Sequence, residues 1–152
     1  MDRPPSIDDP SWSNYPNTIL AIRCGEKRLH VDLMGPVGDD VKQRLRALGE
    51  TRSFGVVTAA NPDGRRATDA ENEARYVRLR TQVAAEDYSS CDADGLSPDG
   101  SHLERGFAVW GMMEEVRALA EKYDQTAFFW FDGEAFWLVA TGAKPEPIKL
   151  PA

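Results

Sequence analysis

The chain has 152 residues, enough for one domain whose core needs no metal or disulfide to hold it. Its 18 Lys and Arg against 25 Asp and Glu leave a net charge of −7. That excludes a general binder of nucleic-acid backbone, which needs a basic face. No run of about 18 apolar residues is present, so no membrane partner is expected, and no charged-then-apolar signal opens the chain. The expected setting is cytoplasmic. Cys24 and Cys91, far apart and without Cys-x-x-Cys spacing, suit a reducing compartment, although two cysteines can also form one bridge.

Residues 1–17 are proline-rich and read as an extended arm, expected to lie against the domain through Trp12 and Tyr15. Residues 18–23 and 28–33 read as two strands. In the second, Leu29, Val31 and Leu33 alternate with Arg28, His30 and Asp32, the pattern of an outer hairpin with one wet face. Glycines and a proline at 35–38 precede a helix over 40–48, with Val41, Leu45 and Leu48 as its buried stripe. Asp39 or Asp40 is its expected cap, and Gly49 its end. Residues 53–59 (SFGVVTA) form a nearly continuous apolar run, which suits a central strand buried on both faces.

The next helix opens with a capping box, Thr68 with Glu71, and runs to about 86. At about 100° per residue, Tyr76, Leu79 and Val83 share the direction of Asn72, which therefore points inward. Ala74, Val77 and Ala84 suggest a second covered side, with Arg75, Arg78 and Gln82 outward. Residues 87–105 are polar and turn-rich and read as a long loop, the kind that serves as a lid or binding loop. A strand over 106–110 follows. The helix after it, 112–123, is expected to bury Met112, Val116, Leu119, Ala120 and Tyr123.

Residues 126–131 and 134–139 then make a hairpin through a two-residue type I′ turn at Asp132-Gly133. That register pairs Phe129 with Phe136, Phe128 with Trp137 and Trp130 with Ala135, leaving both faces apolar. Residues 141–152 are a proline-rich tail. The order ββαβαβαββ gives an α+β fold, a mixed sheet of about six strands with helices packed on it, as a single domain over 18–140.

Several chemistries are absent from this pattern. There is no glycine-rich phosphate loop, no His-x-x-x-His spacing and no Gly-x-Ser-x-Gly elbow. Asp92, Asp94 and Asp99 fail the calcium-loop spacing, so no metal site is assigned and no cofactor is named. What remains is a polar set. Thr58 and Asn61 end the central strand, where ligands tend to sit in sheets flanked by helices. Asn72 faces inward from the following helix, and Gln125 links the last helix to the hairpin. Glu104 is the only ionisable candidate for a general base or an ammonium partner. Each also has a plain structural reading. Asn61-Pro62-Asp63-Gly64 is good turn chemistry, Asn72 can tie down that turn, and Gln125 can cap helix carbonyls.

The stretches TAANP (58–62), AEN (70–72) with Leu79, ERGF (104–107) with Gly111, and LA…YDQTA (119–127) together resemble a bacterial family, domain of unknown function three-two-nine-three. In that family's pattern an aromatic precedes the Asn-Pro, and here that position is Ala60. The resemblance implies a small cytosolic bacterial protein and supplies no activity. It selects the same polar residues that position alone picks out. Two functions follow as expectations. One is a pocket at the end of the central strand in which Thr58, Asn61, Asn72 and Gln125, with Glu104, read a nucleotide-, amide- or amino-acid-like molecule. The other is an acidic interaction module, a homodimer or the partner of a basic protein, docking through the aromatic hairpin with Phe128, Trp130 or Trp137 exposed.

Overall fold

The computed structural model describes residues 14–142 and 145–152. The first thirteen residues of the expected arm, Trp12 among them, lie outside that range. The elements are β1 (Ile19–Cys24), β2 (Lys27–Asp32), α1 (Asp39–Arg46), β3 (Phe54–Thr58), α2 (Asp69–Ala85), β4 (Ser89–Leu96), β5 (Leu103–Glu104), β6 (Gly106–Trp110), α3 (Met113–Lys122), β7 (Ala127–Phe131), β8 (Phe136–Ala140) and β9 (Ile148–Lys149). The strands form one curled sheet in the order β2-β1-β4-β6-β3-β7-β8-β9, with β5 added on β4. The fold is α+β, but the sheet has nine described strands, and their pairings are antiparallel rather than mixed.

β3 sits in the middle, hydrogen-bonded to β6 and β7, and is buried on both sides as its unbroken apolar run demands. Phe54 and Val56 join one cluster with Leu20, Ile22, Leu45, Phe129 and Phe131. Val57 joins the other, with Leu79, Val83, Val116, Leu119 and Phe128, under α2 and α3. Close approach is secured by two small residues. A methyl group on Gly55 would stand 2.5 Å from a methyl of Val116, and one on Gly106 would stand 2.3 Å from the carbonyl oxygen of Val57. Cys24 and Cys91, the next positions along the β1–β4 register, are disulfide-bonded. The cysteines therefore give no support to a reducing compartment. No helix among the described residues is long and apolar enough to cross a membrane.

Three expectations are corrected. The long loop over 87–105 is mostly β4 and β5. Serines, aspartates and a glycine hide a strand from its own composition, and pairing to β1 and β6 forms it anyway. The hairpin register is shifted by two, so that Phe129 faces Leu138, Phe128 faces Val139, Trp130 faces Trp137 and Phe131 faces Phe136. The cause is Asp132, whose Oδ1 accepts the backbone N–H groups of both Glu134 and Ala135 and widens the turn to four residues. Phe128 and Trp130 are buried under the helices, and Trp137 is half-buried. In α2 the second side is not covered: Ala74 and Ala84 are exposed, while Arg75 turns inward.

Smaller departures occur at helix ends. Gly38, not an aspartate, caps α1, and Asp39 and Asp40 occupy its first turn, where the helix dipole favours them. Met112 precedes α3 and is 71% exposed. The C-terminal tail contributes β9 on β8 and buries Leu150.

Candidate functional site

β3 ends at Thr58, and the chain must turn at once to reach α2. Asn61 makes that turn in the left-handed region, φ 50°, ψ 67°, which asparagine tolerates better than most residues. Its side chain then ties three segments together. Oδ1 accepts the Ala67 N–H at 3.0 Å and Asn72 Nδ2 at 3.0 Å, while Nδ2 donates to Glu104 Oε2 at 3.1 Å. Asn72 returns the contact through Oδ1, which accepts the Asn61 backbone N–H at 2.9 Å. The capping box at Thr68 and Glu71 fixes where α2 starts and hence where Asn72 points.

Arg75 locks the other side of this turn to the end of α3. Its guanidinium donates to the carbonyl oxygens of Ala59 and Tyr123 and pairs with Asp124. That brings Gln125, buried between α3 and β7, up to the end of β3. Gln125 Nε2 donates to the carbonyl oxygens of Ala60 at 2.9 Å and Tyr123 at 3.2 Å, so the amide cannot turn over without losing both. Its Oε1 therefore faces Thr58 Oγ1, 3.1 Å away. Glu104 Oε1 lies 3.1 Å from the same hydroxyl.

Thr58, Gln125 and Glu104 line one cavity of about 780 Å³ at the mouth of the curled sheet. Leu20, Val56 and Phe129 supply its apolar wall, and Tyr15, Met34, Leu96 and Phe128 also border it. Tyr15, read in the sequence only as part of an arm, makes a hydroxyl–hydroxyl contact with Thr126 at 3.2 Å and an edge contact with Phe129. Asn61 and Asn72 do not line the cavity. They stand behind it and hold Glu104 and the turn.

His102 is the functional candidate that the sequence reading missed. It precedes Glu104 by two, the same-side spacing of an extended chain, and a strand over 103–104 would have shown this. Its Nε2 lies 3.0 Å from Glu104 Oε2. That hydrogen bond raises its pKa above the ordinary 6.5, against an opposing effect of burial and of the nearby Arg66 charge. In the turn before it, Asp99 accepts from the Ser101 backbone N–H and from the hydroxyls of Ser101 and Ser97, which holds its carboxyl down at about 2. Arg105 points away from the cavity, over the Tyr76 ring and onto Glu73.

An antiparallel α+β sheet with one polar-ended cavity at its mouth is the class that fold and site define. Residues 57–128 match the model of the family described as Protein of unknown function (DUF3293). The match begins in β3, ends within β7 and contains Thr58, Asn61, Asn72, His102, Glu104 and Gln125. No curated protein matches the chain, and no solved structure does.

Proposed function

We propose that this protein binds a small amphipathic molecule in the cavity at the end of β3. The apolar part would rest on Leu20, Val56 and Phe129, and a hydrogen-bond donor would meet Thr58, Gln125 and Glu104. The cavity volume falls within the ~300–1,000 Å³ usual for small-molecule sites. The observation that carries the reading is a hydrogen shortage. Thr58 has one hydroxyl hydrogen and faces two acceptors, Gln125 Oε1 and Glu104 Oε1, each at 3.1 Å. One of those oxygens keeps an unfilled lone pair in the cavity wall, and a ligand N–H or O–H fills it. Binding is favoured over catalysis because both carboxylate oxygens of Glu104 are already engaged, by Thr58 on one side and by Asn61 and His102 on the other.

The test is thermal unfolding of the purified protein against amines, amides, amino acids and nucleosides. A ligand at about 100 times its Kd adds ~2.7 kcal/mol, a rise of roughly 5–10 °C for a domain of this size. Thr58→Val keeps the shape, removes the hydroxyl and is expected to abolish most of that rise. A flat response across the panel from a cooperatively folded protein refutes the proposal.

A further inference from the structure

We infer that the head group this cavity selects is a cationic amine, an inference that rests on the small-molecule reading above. The described residues lining the cavity include two carboxylates, Asp99 and Glu104, and no lysine or arginine. The imidazole of His102, also in the lining, is already committed to Glu104 at 3.0 Å, so a phosphate or carboxylate there would lose water and gain no uncommitted countercharge, which is strongly unfavourable. The phosphate of a nucleotide is excluded on the same ground.

Several donors near the polar end are already engaged. Gln125 Nε2 serves two backbone carbonyls, Asn61 Nδ2 serves Glu104, and the Ser97 and Ser101 hydroxyls serve Asp99. The site therefore presents acceptors in excess: a carboxylate oxygen and an amide oxygen sharing a single hydroxyl hydrogen. A primary ammonium brings three donors and a charge, and so satisfies the amide oxygen and the carboxylate together. An alcohol brings one donor and no charge. The apolar wall of Leu20, Val56 and Phe129 sets the other half of the ligand, an aryl or branched alkyl body attached to the amine.

Calorimetric titration with three matched probes tests this: phenethylamine, phenethyl alcohol and phenylpropionate, at about pH 8 so that the amine remains charged. The amine is expected to bind at least tenfold tighter than the alcohol, and the acid not at all. Glu104→Gln should weaken the amine by about tenfold and leave the alcohol unchanged. If the alcohol or the acid binds as tightly as the amine, the cavity reading stands and the charge selection is overturned. If no probe binds at millimolar concentration, both fall. Amine binding that is indifferent to Glu104→Gln lies elsewhere on the molecule and overturns the inference. A capped lysine tripeptide binding more tightly than phenethylamine would make the site a protein-docking pocket and overturn it as well.

Discussion

Asn72 and Asn61 hold each other by two hydrogen bonds, backbone N–H to Oδ1 at 2.9 Å and Nδ2 to Oδ1 at 3.0 Å. The pair keeps the left-handed turn after β3 in place, and through Asn61 Nδ2 it also holds Glu104. Asn72→Ala removes both bonds and leaves a half-buried N–H unpaired, at a cost of ~1–3 kcal/mol. Denaturant unfolding should show that loss, together with weaker amine binding caused by a looser Glu104. Asn72 touches no part of the cavity, so a Kd that falls apart while stability is unchanged would contradict this division of labour.

Gly106 begins β6 where three strands crowd. An added methyl would lie 2.3 Å from the Val57 carbonyl oxygen and 3.1 Å from that of Ala93, neither of which is a movable side-chain tip. Gly106→Ala should therefore destabilise by ~1–3 kcal/mol, the range for overpacked cores, read as a lower denaturation midpoint with unchanged slope. A neutral outcome would mean that the β3–β6 separation relaxes freely.

The Cys24–Cys91 bond closes a loop of 67 residues between two strands that already pair. Reduction, or the double change Cys24→Ser with Cys91→Ser, should cost ~2–4 kcal/mol, mostly through a less restricted unfolded chain. Unfolding with and without reductant measures it. Cavity binding should survive, because neither cysteine lines the cavity.

The parts legible in the sequence are those fixed by local chemistry. The apolar run of β3, the Thr68 capping box and the inward direction of Asn72 follow from neighbours a few residues away. Thr58, Glu104 and Gln125 were legible for the same reason, since each sits at or next to the end of a well-marked element. β4 was not, because its Ser-Ser-Cys-Asp-Ala-Asp-Gly run has low strand preference and depends on partners on both sides. Missing β4 also hid β5, and with it His102 beside Glu104. The hairpin register failed by two because the Asp132 side chain competes for turn N–H groups, which a backbone pattern alone does not count. Parity was preserved, so each aromatic kept its face even though its partner changed.

His102 makes the site sensitive to pH, and the sign follows from its partners. Its pKa is raised in the folded protein, first by the hydrogen bond to Glu104, with burial and Arg66 opposing. The stability it contributes is fully present below the unfolded value of 6.5 and is lost as pH rises through the higher folded value. Its side chain is 59% exposed, so this contribution is small. The larger effect is on the ligand. A protonated His102 puts a cation on Glu104 that competes with an incoming ammonium, so amine affinity should rise severalfold from about pH 6 to about pH 8. His102→Gln should flatten that profile, and Glu104→Gln should return the imidazole titration, followed by NMR, toward the ordinary value. Affinity that falls over the same interval would show that the imidazolium assists the ligand instead of opposing it, and would point to a head group other than a cation.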